Sequence, residues 1–302
     1  LKPGNSPDGT VELAVTRLGL ADVPENRGIP VILLHGSFSN RRFWYSPKGI
    51  GLGAYLARQG FDVWIPEMRG HGLSKRNHDY AKNRVADYAR YDLPAIGAFV
   101  REQSAQIPHW IGHSLGGTAL AAALGGQHLG APAVASVALF GCQVSRTHWP
   151  LKLPPVEWTG RLLLKRIGEL SGSRLKRGPE DEPAGVLIEA MRWNGLFGRF
   201  GEGKQDWWKG LADVDVPVLA VSAAGDHQDP DWACRKLFEQ IGSEHRQYLC
   251  LGRQQGFTGD FGHVEMLVSK AAQTEVWPLV AQWLKDPLTP LFGAPAEVLA
   301  TV

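Results

Sequence analysis

The stretch HWIGHSLGGTALAAAL, residues 109–124, decides the fold that this sequence predicts. It opens with a short apolar run typical of a buried strand and ends in an alanine-rich helical pattern. Ser114 stands between them, with one glycine two residues before it and another two residues after it. Such small residues let strand and helix pass closely across a sharp turn that holds the serine in a strained conformation. Its hydroxyl should project at a helix N-terminus, where the Leu115 amide can stabilise an oxyanion.

A second turn, in VILLHGSF at residues 31–38, supplies the other donor that an oxyanion needs. An apolar strand ends there in a glycine turn, and the Ser37 amide is the candidate donor. Phe38 and His113 are expected to border a bound substrate. Three histidines are each expected to brace a loop through hydrogen bonds of the imidazole ring: His35, His71 and His113.

The residues that would activate the serine lie downstream of it. A serine hydroxyl is a weak nucleophile until an imidazole accepts its proton and a buried carboxylate holds that imidazole in the right tautomer. Asp226 follows the apolar run 216–221, and His263 follows the next run, 246–251. All three side chains therefore fall at carboxyl ends of strands, where open α/β sheets bind ligands. Their order is serine, aspartate, histidine.

Two other aspartates compete with Asp226 for the orienting role. Asp229 precedes a proline, where it can cap the following helix, and Asp260 lies three residues before His263. We favour Asp226 because it directly follows the strand and leaves a loop before the helix that begins near Pro230.

Short apolar runs alternate with helical patterns along most of the chain, which predicts an α/β fold with a mostly parallel, doubly wound sheet. Helical periodicity marks residues 93–103 and a single closing helix at 264–285, whereas the tail 287–302 shows no clear period. The predicted strands are 11–18, 31–34, 61–65, 109–111, 135–140, 216–221 and 246–251.

Residues 142–210 break this alternation. Two amphipathic helical patterns, 158–170 and 183–193, are joined there by loops rich in glycine, arginine and lysine. We therefore expect an inserted helical cap at 142–210 over the sheet's carboxyl edge. The core then comprises residues 1–141 and 211–302.

The predicted cap holds five of the 11 tryptophans and a net charge of +4, against −2 for the rest of the chain. Aromatic side chains suit a boundary between oil and water, and a basic face can meet an anionic lipid surface. Apolar residues that only pack on the core, and a merely solvated basic face, are the alternatives. Trp207 and Trp208 are the candidates for contact with an apolar acyl chain.

Composition narrows the classes of partner. The 302 residues, 44% of them hydrophobic, suffice for one large core. A formal net charge of +2 offers no strong field, so nucleic acid is not an expected partner. Three scattered cysteines fit neither a disulfide framework nor a metal site, and no metal is expected. No apolar run or signal pattern indicates a membrane span or secretion, so a cytoplasmic location is expected, although a leader before Leu1 could have been removed.

These motifs together resemble the α/β-hydrolase superfamily over residues 29–284, apart from the predicted cap. Four segments are similar to its acid-lipase branch: GFDVW (60–64), RG (69–70), YDLPA (91–95) and GDHQDP (225–230). The resemblance implies an α/β-hydrolase fold and a lipase or carboxylesterase that acts on acyl esters without a cofactor. The pair GH at 262–263 and the helical pattern after it look more like general esterases and peptidase-like hydrolases. A serine at position 114 excludes the haloalkane dehalogenase and epoxide hydrolase relatives, which would require aspartate there.

The leading hypothesis is a serine hydrolase that cleaves carboxylic esters of apolar acyl groups through an acyl-enzyme on Ser114, with His263 as base and Asp226 as orienter. The expected substrate is a small-molecule ester or a lipid, with transient contact between the cap and a membrane surface. A thioesterase or carbon–carbon hydrolase with the same three residues is the nearest alternative. A non-catalytic ligand-binding protein of this fold is the second, and the oligomeric state is left open.

Overall fold

The central sheet of the computed structural model has seven strands. The structure describes residues 1–19, 28–145 and 149–292; residues 146–148 of the predicted cap and residues 293–302 of the tail lie outside the described residues. The sheet consists of β1 (Val15–Leu18), β2 (Pro30–Leu34), β3 (Asp62–Pro66), β4 (His109–His113), β5 (Ser136–Phe140), β10 (Val218–Ala223) and β11 (Arg246–Leu251). Two short ribbons pair β6 (Glu169–Leu170) with β7 (Glu182–Pro183) and β8 (Gly201–Glu202) with β9 (Gln205–Asp206).

The strand order is β1-β3-β2-β4-β5-β10-β11. Neighbouring strands are parallel except β1, which pairs antiparallel with β3 from Val15 opposite Pro66. Strands β2 to β5 are buried along their whole length because helices cover both faces, which explains their continuous apolar sequences. The predicted mostly parallel sheet is confirmed. Each predicted strand overlaps an observed one, although β1 begins at Val15 instead of residue 11.

Helices cover both faces of this sheet, and further helices lie in the segment between β5 and β10. The α-helices of the described residues are α1 (Leu52–Arg58), α2 (Val85–Asp87), α3 (Leu93–Ser104), α4 (Leu115–Gly125), α5 (Pro154–Ile167), α6 (Ala184–Asn194), α7 (Trp207–Gly210), α8 (Asp231–Gln240), α9 (Glu265–Val268), α10 (Lys270–Glu275) and α11 (Trp277–Lys285). One apolar layer contains Trp110 and the alanines of α4, and the other contains Trp44 and Trp277. Within the described ranges, none of the helices is long and apolar enough to cross a membrane.

The prediction of one closing helix at 264–285 is wrong, because the chain forms α9, α10 and α11 there. Ser269 has extended backbone (φ −70°, ψ 161°), and its hydroxyl accepts the Ala272 N–H at 3.0 Å, which starts a new helix. Pro278 lies in the first turn of α11, where proline is tolerated. The apolar periodicity survives these breaks because all three helices pack on the same face of the sheet.

Residues 142–210, called the insert below, leave the sheet after β5 and return before β10. The two predicted helical patterns correspond to α5 and α6, which pack against each other. Helix α5 starts earlier than predicted because Pro154 and Pro155 occupy its first turn, and it ends at Gly168, where φ is +82°. Helix α5 buries only Glu157, so most of its surface faces outward.

Candidate active site

Ser114 lies in the turn between β4 and α4 with φ 51° and ψ −117°, a conformation that non-glycine residues rarely adopt. The turn depends on its small neighbours. A Cβ on Gly112 would lie 2.6 Å from Gly117 N, and a Cβ on Gly116 would lie 2.6 Å from Leu34 O. Larger side chains at these two glycines would therefore force the strand and the helix apart and move the serine.

His263 lies in the loop after β11, and its Nδ1 is 2.7 Å from Asp226 Oδ2. Asp226 is 2% exposed, and its other oxygen accepts the N–H groups of Gln228 and Asp229 at 2.9 Å each. Amide bonds to a charged oxygen hold the carboxylate firmly in one orientation. The carboxylate in turn favours the proton on Nδ1 of His263 and leaves Nε2 as an acceptor.

The contact with Asp226 uses Nδ1 of His263 and leaves the second ring nitrogen, Nε2. Nε2 is buried and has no hydrogen-bond partner among the described residues. His263 and Ser114 line the same cavity, which has a volume of about 870 Å³. An imidazole with an unused acceptor nitrogen in the same cavity as a serine has the chemistry to accept a hydroxyl proton during nucleophilic attack.

Asp229 stands close to the same imidazole. Its Oδ2 lies 3.8 Å from His263 Nδ1, beyond hydrogen-bond distance, and its Oδ1 accepts Gln143 Nε2 at 3.0 Å. Asp260 is engaged elsewhere, because its carboxylate accepts the Arg253 N–H at 2.9 Å. Of the three aspartates, Asp226 is the one at hydrogen-bond distance from His263. Asp229, the competing aspartate, thus lies within 4 Å of the ring without bonding to it.

Two unpaired backbone N–H groups border Ser114. Ser37 and Leu115 line a second cavity of about 400 Å³, which Ser114 also lines. Neither N–H has a hydrogen-bond partner in the described part of the chain. Leu115 is the first residue of α4, so its N–H belongs to the donors that a helix start leaves free. Gly36 lets the loop that holds Ser37 approach Ser114 closely, since a Cβ on Gly36 would lie 3.1 Å from the Ser114 Cβ.

Two buried histidines brace the site. His113 Nε2 bonds to His263 O at 2.9 Å, and its ring stacks on Phe43 with centroids 4.7 Å apart. His35 Nδ1 lies 2.9 Å from Gly36 O in the neighbouring loop. Burial lowers the pKa of each of these two histidines to about 3, so both rings are neutral at physiological pH. His113 also lines the larger cavity together with Phe38.

Trp207 and Trp208 are placed elsewhere, and neither lines either of these two cavities. Trp207 is fully buried, and its backbone packs on Gly125 at the far end of α4, about 16 Å along the helix from Ser114. Trp208 packs on the same apolar layer. This placement speaks against the predicted contact with an acyl chain, because Trp207 anchors the insert to the core instead.

Glu182 was missed by reasoning from the sequence. Its carboxylate is fully buried, accepts the Phe38 N–H at 2.9 Å and lies 3.5 Å from His71 Nε2. It stands 144 positions from Phe38 along the chain, so no local pattern connects the two. The one signal available was its place directly before Pro183, at the start of the second helical pattern of the predicted cap.

Comparison with known proteins gives a family match over most of the chain. The model of the alpha/beta hydrolase family matches residues 31–296. Lipase member N of Mus musculus is 33% identical over 123 residues, which cover 37% of this chain and 30% of that lipase. Gastric triacylglycerol lipase of Homo sapiens is 35% identical over 100 residues, 30% of this chain and 25% of that lipase. The aligned part thus spans less than a third of each of these relatives.

Solved structures share the fold along nearly the whole chain. A thermophilic esterase from Thermogutta terrifontis superposes with a TM-score of 0.66 at 17% identity, covering 95% of this chain and 98% of the esterase. A monoacylglycerol lipase from Paleococcus ferrophilus gives 0.61 at 17% identity, covering 91% and 99%. At these identities the likeness concerns the fold.

Proposed function

This chain belongs to the alpha/beta hydrolase family, and from that premise we propose that it is a serine hydrolase that cleaves carboxylic esters of apolar acyl groups. One observation carries the proposal. Asp226 holds Nδ1 of His263 at 2.7 Å, Nε2 of the same ring has no hydrogen-bond partner among the described residues, and His263 and Ser114 line the same cavity. Sequence similarity to lipases over about a third of the chain supports the same reaction class.

The proposed reaction proceeds through an acyl-enzyme. Ser114 Oγ attacks the ester carbonyl as its proton passes to His263 Nε2, and the Asp226 carboxylate stabilises the imidazolium that forms. The tetrahedral intermediate collapses when the bond to the leaving oxygen breaks and His263 returns the proton to that oxygen. Water, deprotonated by the same imidazole, then attacks the acyl carbon, the bond from that carbon to Ser114 Oγ breaks, and His263 returns the proton to Oγ as the acid leaves.

Stabilisation of the negative oxygen falls to two amides in this proposal. The N–H groups of Ser37 and Leu115 are unpaired, border the serine and come from separate loops. Donors fixed before the reaction cost no reorganisation when charge develops, which makes such contacts a large part of catalysis. The dipole of α4, whose N-terminus begins beside Ser114, adds a favourable field.

The two cavities divide the substrate between them. His263 lines the cavity of about 870 Å³ and not the one of about 400 Å³. Because the imidazole must protonate the leaving alcohol, we assign the larger cavity to the alcohol part. The smaller cavity, bordered by both oxyanion donors, then takes the acyl chain. Its walls from the insert include Leu164, Ala190 and Met191, which suit an apolar chain.

We further propose that the insert, residues 142–210, is a cap that contacts a lipid surface. The insert contributes ten of the 19 exposed large apolar side chains in the described ranges, although it contains less than a quarter of the described residues. The exposed surface of α5 carries five: Val156, Trp158, Leu162, Leu163 and Ile167. Exposed Lys165 and Arg166 lie beside them and complement anionic lipid. Exposed apolar side chains gathered in one segment of a protein support an interaction site there.

A fluorophosphonate probe, which reacts only with an activated serine, tests the central proposal. We expect it to label the wild-type protein and not Ser114→Ala, and we expect the wild type to hydrolyse p-nitrophenyl esters. Ser114→Ala should lose at least about 10³-fold in kcat, since removing one member disables the whole triad. Both proteins should give the same circular dichroism spectrum. A wild type that is folded, unlabelled and inactive would favour a ligand-binding protein of this fold.

A further inference from the structure

The loop that holds the oxyanion donor Ser37 is tied to a segment about 140 positions away. The Phe38 N–H donates to Glu182 Oε2 at 2.9 Å, and the Glu180 N–H donates to Phe38 O at 3.1 Å. Gly178 packs against the same peptide group, because a Cβ there would lie 2.1 Å from Phe38 O. Both polar groups of the Phe38 backbone are therefore bound by the insert.

These contacts fix a conformation that Phe38 would not hold alone. Its φ is 59°, in the left-handed region that residues other than glycine rarely occupy unless their surroundings impose it. Phe38 directly follows Ser37, so its backbone angles determine how the loop leaves the donor. On the other side, Gly36 lies against Ser114. The Ser37 amide is thus held between one neighbour packed on the nucleophile and another bound to the insert.

The position of the Glu182 carboxylate is fixed by burial and by its neighbours. It is fully buried at the β7 ribbon, immediately before α6, and it has no access to solvent. His71, also fully buried, places Nε2 3.5 Å from the same carboxylate oxygen that accepts the Phe38 N–H. Burial alone would lower the pKa of His71, but the Glu182 carboxylate outweighs it and raises that pKa. Moving Glu182 would take Oε2 away from both the Phe38 N–H and His71, and separating buried polar partners is costly.

We propose that Glu182 is a positioning residue for the oxyanion hole: by accepting the Phe38 N–H, it holds the Ser37 amide in the orientation that stabilises the tetrahedral intermediate. The inference rests on the proposed function and extends it. The insert then does more than cover the substrate, because it completes the catalytic machinery from outside the core. Glu182 touches no reacting atom and acts through the backbone of Phe38.

The chain offers a matched control in Glu189. Its carboxylate is 3% exposed, belongs to α6 and accepts a backbone N–H of the core, that of Ala86, at 3.0 Å. It lines neither cavity at Ser114. Glu182→Ala and Glu189→Ala therefore remove equivalent anchors between insert and core. Only Glu182→Ala frees the oxyanion loop.

The experiment compares four variants after active-site titration with a fluorophosphonate: Glu182→Ala, Glu182→Asp, Glu182→Gln and Glu189→Ala. We expect Glu182→Ala to lower kcat per titrated site about 10- to 100-fold, somewhat less than deleting a donor outright. KM should stay within about twofold. Glu182→Asp, whose carboxylate is one methylene short, should fall in the same direction. Glu182→Gln keeps an acceptor oxygen for Phe38 and should restore kcat to within about threefold.

A boronic acid that mimics the tetrahedral intermediate separates positioning from mere stability. Its inhibition constant should rise in Glu182→Ala by the factor that kcat/KM falls, and it should be unchanged in Glu189→Ala. If Glu182→Ala does not fold, Glu182→Asp against Glu182→Gln gives the same contrast. Wild-type kcat and inhibition constant in Glu182→Asp, or equal losses in the two alanine variants, would overturn the inference and leave the proposed function standing. A folded wild type without turnover or labelling would overturn both.

Discussion

The turn around Ser114 and the insert above it are built in opposite ways. Helix α4, which follows the serine, buries nine of its 11 residues, whereas α5 of the insert buries one of 14. In the turn, packing leaves no freedom, since a single Cβ on Gly112 or Gly116 would collide with backbone. In α5, large apolar side chains face outward. The first region is held by contacts within the molecule, whereas the second leaves apolar side chains exposed.

The largest effect should come from the rigid region. We expect Asp226→Asn to lower kcat by about 10²- to 10⁴-fold, because the amide no longer stabilises the imidazolium and favours the wrong tautomer. Asp229→Asn should cost about tenfold or less, since Asp229 lies 3.8 Å from His263 against 2.7 Å for Asp226. Steady-state kinetics on one soluble ester decide between them. A larger loss in Asp229→Asn would reverse the assignment of the orienter.

The difference between the two regions also explains which features could be predicted from the sequence and which could not. Strand periodicity and the glycines around Ser114 act locally, so the sheet and the turn were predicted with nearly correct bounds. The breaks at Ser269 and Pro278 were missed because apolar spacing continues across them. Glu182 and the buried position of Trp207 depend on contacts between segments far apart in the chain, and no local pattern encodes such contacts.

The assignment of the two cavities predicts a change in substrate preference. Ala190→Trp should fill part of the cavity of about 400 Å³ and lower kcat/KM for octanoate about 100-fold relative to acetate. That factor corresponds to three or four methylenes excluded at ~0.8 kcal/mol each. Leu175→Trp is the control, because Leu175 lines only the larger cavity and should leave the acyl preference intact. Equal loss for both esters in Ala190→Trp would show that the acyl chain lies elsewhere.

The stability of the protein should depend on pH through Glu189, which links the insert to Ala86 of the core. Burial raises the pKa of Glu189 to about 7, partly opposed by the Ala86 amide and nearby arginines. The folded protein then binds this proton more tightly than the unfolded chain. The contribution of protonated Glu189 to the free energy of unfolding is therefore fully present below about pH 4.5 and is lost as pH rises through 7. Glu189→Gln keeps an acceptor for Ala86 and cannot ionise. It should exceed the wild type in stability by about 1–3 kcal/mol at pH 8 and match it at pH 4.5.

Urea denaturation at the two pH values measures this. Glu157→Gln serves as control, because the Glu157 carboxylate is paired with Arg161 at 2.8 Å and its loss leaves that pair broken. The control should gain no stability at pH 8. A Glu189→Gln variant less stable than the wild type at pH 8 would mean that the charged carboxylate stabilises the contact between insert and core.

The smallest effect concerns the outward face of α5 and appears only with a lipid surface. We expect replacing Trp158, Leu162 and Leu163 together by serine to leave kcat/KM on a soluble acetate unchanged, because these side chains are 57–65% exposed and line neither cavity at Ser114. Turnover of the same acyl ester in anionic vesicles, and cosedimentation with those vesicles, should fall about tenfold, since the apolar area that enters the interface is lost.

A matched triple, Ile50, Leu73 and Leu288 replaced by serine, removes side chains of the same exposure, 52–59%, from outside the insert. It should bind vesicles like the wild type. Raising the salt concentration should weaken wild-type binding, because exposed charges such as Lys165 and Arg166 are screened within about 10 Å at 0.1 M. If both triples lose vesicle binding equally, exposed apolar area in general is responsible. If neither does, the apolar face of α5 meets something other than lipid.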